Sequence, residues 1–238
     1  GGSGQVGSTP EFDPGCVEYL TGILVARQDS QLLHAVDVEN IQVLRGPQGT
    51  LFGKNNTGGA MLVSTVAPNF SRLSGSATVT AGSHGRQDIK ASVNLPLIEN
   101  QMGLRLSGTV RRLDGYFKNI VDGTRFGDED RQAVSARLLW DLTENLQLDV
   151  FSFWSSQDEK GQANNCEVIN AQAAAATFFV PQQPDNYAQR CQQQEGLAEQ
   201  RKVAINTEAS FYRQQSQLHA IKLNWHMGPL DLESITAY

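Results

Sequence analysis

Residues 36–60 read VDVENIQVLRGPQGTLFGKNNTGGA. The apolar-polar rhythm over 41–44 predicts a strand, and Pro47 sets a turn directly behind it. Gly46, Gly49, Gly53, Gly58 and Gly59 follow within the same stretch, a density that suits tight turns and close backbone approach in a confined space. Arg45 ends the strand. Buried, its guanidinium needs a partner, because an unpaired charge inside a protein is costly; on a solvated strand end it needs none. Working outward, half of the 22 glycines lie at or before Gly59, together with Pro10, Pro14 and Pro47. That opening part must be turn-rich rather than built on long regular elements.

From about residue 74 the texture changes to period-two alternation. Seven segments can be drawn, over 75–81, 86–95, 102–114, 132–141, 146–157, 219–226 and 230–238. In the second, Ile89, Ala91, Val93 and Leu95 oppose Asp88, Lys90, Ser92 and Asn94. In the third, Leu104, Leu106 and Val110 oppose Arg105, Ser107, Thr109 and Arg111. The fifth opposes Leu146, Leu148, Val150 and Trp154 to Gln147 and Asp149, although Phe151 and Phe153 interrupt its polar face. The boundary between the two textures falls near Ala67 and Pro68.

Short and long connections alternate between these segments, apart from a brief first loop over 82–85. An up-and-down membrane barrel predicts this asymmetry, with short turns on one side and long loops on the other. A soluble antiparallel sandwich shows the same alternation. The 238 residues carry 19 Lys and Arg against 25 Asp and Glu, a formal charge of −6, which is the wrong sign for a nucleic-acid partner. Apolar runs reach only four residues, far short of the roughly 20 that a membrane-spanning helix needs. The opening at Gly1 and the alternation still under way at 232–238 read as those of a fragment.

The stretch 36–60 resembles the end of the plug domain in TonB-dependent outer-membrane receptors. The carriers are Arg45-Gly46-Pro47, Leu51-Phe52-Gly53 and Gly58-Gly59-Ala60, and Phe12-Asp13-Pro14-Gly15 and residues 26–33 are similar to earlier parts of the same plug. Thr21 before Gly22 stands where the family usually has Asp, and Cys16 where a small aliphatic residue is common. The resemblance implies a mainly β chain: 1–67 as the later part of a plug domain, and 68–238 as the first seven or so antiparallel strands of a large transmembrane β-barrel, which in the family has 22. It implies plug roles for Arg45, Gly46, Pro47, Gly53, Gly58 and Gly59, the arginine pairing with acids on the barrel wall. Ligand contacts at the plug apices fall on Gln5, Phe12, Arg27 and Gln28.

The function implied is energised uptake of a scarce nutrient through the bacterial outer membrane, most commonly an iron-siderophore complex, with no enzymatic step and no cofactor. The partners implied are a TonB-type energy-transducing protein, whose contact segment is absent here, the small-molecule ligand and outer-membrane lipid, but no nucleic acid. Cobalamin or a saccharide stays open as the solute, as does a passive or structural barrel that needs no energy. Cys166 and Cys191 share the long connection over 158–215, and are either bridged, as an oxidising exterior favours, or two free thiols. None of His34, His84, His219 and His226 shares a ligand-like spacing with Cys, Asp or Glu, so no metal site is expected. Lys54 lies in a glycine-rich run without the Gly-Lys-Ser/Thr ending of a nucleotide-binding loop.

Overall fold

The computed structural model describes residues 16–25, 37–47, 49, 58–160, 197, 199–203 and 211–238. Within them lie β1 (Cys16–Leu20), β2 (Ile23–Val25), β3 (Val38–Arg45), β4 (Gly59–Thr65), β5 (Ser74–Ala81), β6 (Gln87–Ile98), β7 (Met102–Leu113), β8 (Phe117–Asn119), β9 (Arg125–Phe126), β10 (Glu129–Thr143), β11 (Leu146–Glu159), β12 (Lys202–Val203), β13 (Tyr212–Met227) and β14 (Leu230–Ala237). They form three sheets, in the orders β2-β1-β4-β3, β14-β13-β11-β10-β7-β6-β5 and β12-β8-β9.

The seven-stranded sheet is antiparallel throughout, and its strands are the seven segments that the alternation predicts, in the same order. The mainly β class and the barrel-wall expectation are therefore borne out. Alternation sets the two faces. One face presents Val79, Ile89, Leu106, Val134 and Ile221, all exposed, as a lipid-facing surface requires. The other turns Ser92, Arg105, Ser107, Arg137 and Asp149 inward. Tight turns close the strands at one end. Gly228, with φ of +62°, opens the two-residue turn between Met227 and Leu230, where a positive φ matches the twist of the hairpin.

Strand β13 begins at Tyr212, seven residues before the alternation predicts. Its added stretch, 212–218, runs Tyr-Arg-Gln-Gln-Ser-Gln-Leu, with polar residues on both faces from Arg213 to Gln217, so no hydropathy rhythm marks it as strand. Pairing with β11, whose Glu159 stands opposite Tyr212, supplies the order instead. The long connection is shortened accordingly, and Lys202 and Val203 from it pair in parallel with Lys118 and Asn119.

The four-stranded sheet packs against the inner face of this wall. Parallel pairing of β1 with β4 brings Leu20, Ile23 and Val63 to one side, where they meet Ala133, Phe151, Phe153 and Ala220 of the wall in a single buried cluster. Phe151 and Phe153, interruptions in the sequence pattern, are 3% and 1% exposed. Each contributes on the order of 2–3 kcal/mol by its burial. Residues 66–73 link the two sheets.

Candidate functional site

The polar contact between the small sheet and the wall begins with register. On the inner face Arg105 of β7 stands directly opposite Arg137 of β10, a like-charge pairing that is unfavourable unless each cation has its own partner. Arg137 makes a two-pronged pair with Asp149 of β11, at 3.1 Å from Nε to Oδ1 and 2.7 Å from Nη2 to Oδ2. Its Nη1 also donates to the Thr65 carbonyl at 2.7 Å and to Thr65 Oγ1 at 3.2 Å. Arg105 reaches across to the small-sheet side, donating from Nε to Asp37 Oδ2 at 2.6 Å, and its Nη2 donates to Ser92 Oγ at 3.3 Å. All four ionic side chains are between 9% and 18% exposed, so solvent screens these pairs far less than surface ones.

Asp37 and Thr65 sit at one end of the β3–β4 pair, where Val38 stands opposite Thr65 and the Val66 amide donates to the Asp37 carbonyl at 2.9 Å. Two opposed wall arginines thus grip one end of that hairpin. The grip extends to Thr21, whose hydroxyl shares a 3.0 Å hydrogen bond with Thr65 Oγ1. Thr21 has φ of +52° in the turn between β1 and β2, a conformation that a β-branched residue rarely adopts. Its amide donates to the Val63 carbonyl at 2.7 Å. The strain is held in place by these bonds.

Asn94, fully buried, ties the linker to the wall. Its Nδ2 donates to the carbonyls of Asn69 at 2.9 Å and Arg72 at 2.8 Å, and its Oδ1 accepts from the Asn69 amide at 2.7 Å. One rung farther from the short turns, Ser76, Ser92, Ser107, Ser135, Phe153 and Leu218 lie side by side across six strands. The serines share hydrogen bonds in two pairs, at 3.0 Å and 2.7 Å. That rung passes from hydroxyl to hydrocarbon across the wall.

Toward the long-loop end the inner face carries a second opposed arginine pair, Arg111 and Arg131. Arg111 lies 3.1 Å from Glu129 and 3.9 Å from Asp88; Arg131 pairs with Glu159. Arg86, at the first loop, donates twice to Asp88. That bond, and then the carboxylate's charge, raise its pKa from the ordinary value. Beyond them the loops meet: the Arg201 Nη1 is 3.1 Å from His84 Nε2, and His84, Tyr116 and Phe117 form a run of neighbouring rings. Among the described residues no three His, Cys, Asp or Glu side chains converge as metal ligands.

The expected site residues fall unevenly on this geometry. Arg45 is exposed at the end of β3 and has no ion pair among the described residues; the ionic grip comes instead from wall arginines reaching the small sheet. Gly46, with φ of +84°, donates its amide to the Gly58 carbonyl at 3.1 Å. Pro47 follows it exposed, and Gly59 stands opposite Arg45. Gln5, Phe12, Arg27, Gln28, Gly53, Cys166 and Cys191 lie outside the described residues. Sequence reading missed Asp37, Thr65 and Asn94 as contact residues. The available signal was two inward arginines, Arg105 and Arg137, on neighbouring strands with only Asp149 near enough in register to offset them.

Comparison with known proteins gives a consistent picture. The ferrioxamine B receptor of Salmonella typhimurium (strain SL1344) is 28% identical over 174 residues, covering 67% of this chain and 24% of that protein. The ferrioxamine receptor of Yersinia enterocolitica is 31% identical over 111 residues, 47% of this chain and 14% of that protein. This chain therefore spans about a quarter, or less, of the length of the curated relatives it matches. The fold matches the ferric yersiniabactin uptake receptor FyuA of Yersinia pestis, with a TM-score of 0.69 at 16% identity, over 94% of this chain and 32% of that one. It also matches the siderophore receptor PiuA of Acinetobacter baumannii, with a TM-score of 0.66 at 13% identity, over 92% of this chain and 28% of that one. No family model matches. The relatives are receptors rather than enzymes.

Proposed function

We propose that the chain belongs to the TonB-dependent outer-membrane receptors, as its likeness to two ferrioxamine receptors and to the fold of siderophore receptors supports, and that the protein of which it is part takes up a ferric siderophore of the ferrioxamine type, in steps driven by a TonB-type partner. Its place is the outer membrane. Residues 1–67 are then the later part of the plug, and residues 68–238 the first part of the barrel wall. The exposed apolar face of the wall contacts lipid, and the inner face receives the plug. No covalent step is required of any residue: the ligand is held, and the plug is displaced.

The observation that carries this reading is the sequence likeness to two ferrioxamine receptors. The geometry agrees with it in kind. The four-stranded sheet is held to the wall by a few arginine contacts and one apolar cluster, strongly enough to seat it and locally enough to be released. A passive channel would have no use for a seated internal sheet.

Uptake decides the matter. The whole receptor, expressed in cells lacking their own siderophore receptors, should accumulate radioiron supplied as ferrioxamine, and a protonophore should abolish accumulation while leaving surface binding intact. Uptake indifferent to the protonophore would establish a passive channel. Uptake of cobalamin or a saccharide in place of ferrioxamine would correct the solute.

A further inference from the structure

Arg105 holds a carboxylate in a setting that the wall builds by itself. Its Nε donates to Asp37 Oδ2 at 2.6 Å and its Nη2 pairs with the same carboxylate, while Nη2 also donates to Ser92 Oγ. Arg137, directly opposite, adds a second positive charge that Asp149 already occupies with both oxygens. Arg105, Ser92, Arg137 and Asp149 all belong to the wall; only Asp37 comes from the plug side. With Asp37 in place the two arginines and two carboxylates balance. Withdrawal of Asp37 leaves the wall with one positive charge in excess, at a guanidinium that stands opposite another guanidinium. Such a group attracts any compact oxyanion that can reach it.

We propose that Arg105 and Ser92, backed by Arg137, form an oxyanion cradle on the inner wall, filled by the Asp37 carboxylate when the plug is seated and open to a solute carboxylate when it is not. The cradle rests on the uptake reading only in that the plug must leave the wall for the site to open. It requires no ligand to be identified in advance. The chemistry it selects is a planar carboxylate, which the guanidinium fork matches.

Chemical rescue tests it in the whole receptor. Asp37→Ala should loosen the plug, seen as entry of a large hydrophilic antibiotic raised by roughly tenfold, the size expected for one lost charge-assisted hydrogen bond. Added formate should restore the barrier and raise the melting temperature of the purified variant, whereas formamide, neutral and of similar size, should do neither. Arg105→Gln placed on Asp37→Ala should remove the response to formate. Equal effects of formate and formamide, or rescue that survives Arg105→Gln, would overturn the cradle, as would an Asp37→Ala variant with the barrier and melting temperature of the parent. Neither readout involves siderophore, so failure of ferrioxamine uptake leaves this test standing on its own.

Discussion

Arg105 and Arg137 face each other across adjacent wall strands, and each is neutralised from a different direction: Arg105 by Asp37 at the edge of the small sheet, Arg137 by Asp149 of the wall. The wall arginine with its acid on the same wall can therefore stay paired whatever the small sheet does, and the other cannot. This difference separates two kinds of mutational effect.

Replacing Arg137 with Ala should destabilise the seated form by about 3 kcal/mol or more, since it leaves Asp149 buried without its partner and removes the bonds to Thr65. Arg137→Lys should recover only part of this, because an ammonium cannot bind Asp149 with two parallel bonds while also reaching the Thr65 carbonyl. Denaturant melts of the purified whole receptor measure both, and an Arg137→Lys variant as stable as the parent would contradict the geometry.

Gly59 and Gly46 make a graded pair. A Cβ on Gly59 would collide with the Leu44 carbonyl oxygen at φ of +146°, so Gly59→Ala should disrupt the β3–β4 pairing and cost several kcal/mol, on the order of 3. At Gly46 nothing lies within 4 Å, and only the positive φ opposes a side chain, at a cost of about 1 kcal/mol. Thermal melts of the two variants should preserve that order.

Along one rung of the wall, Phe153→Ala should cost about 3–5 kcal/mol, the usual range for a buried ring. Ser107→Ala, two strands away on the same rung, breaks a single hydroxyl pair and should cost about 1 kcal/mol. Equal losses at the two positions would mean that the apolar cluster does not carry the adhesion.

Asn94→Ala removes three hydrogen bonds to the linker over residues 66–73, leaving two carbonyls and an amide to find water. Limited proteolysis should cut that linker faster by roughly tenfold, following the free energy of local opening. Asn94→Asp should fall between the two, keeping the acceptor and losing the donor.

Much of the wall was legible because a strand with one face in lipid and one facing a polar interior must alternate, and Ile89 to Leu95 do so at every second position, as do Leu104 to Val110 apart from Gly108. Legibility failed where that constraint lapses. The first part of β13 is polar on both faces, and β8, β9 and β12 are too short to show any period. Phe151 and Phe153 broke the rule for a physical reason: the small sheet turns Leu20, Ile23 and Val63 toward them, so hydrocarbon is the favourable inner surface there. The site was harder still. Asp37 and Arg105 lie 68 residues apart, and nothing local in either stretch announces the pairing. Arg45, conspicuous in its motif, is exposed, whereas Asp37, eight positions earlier, holds the contact.

The rung from Ser76 to Leu218 has one more implication. Hydrocarbon surfaces part only when a dry gap opens between them, but hydroxyl-bearing surfaces can admit water molecule by molecule, exchanging one hydrogen bond for another. Separation of the small sheet from the wall should consequently start as wetting at Ser92 and Ser107 of β6 and β7, with the phenylalanine flank the last to let go, so that the sheet leaves as a door does, swinging from its greased edge.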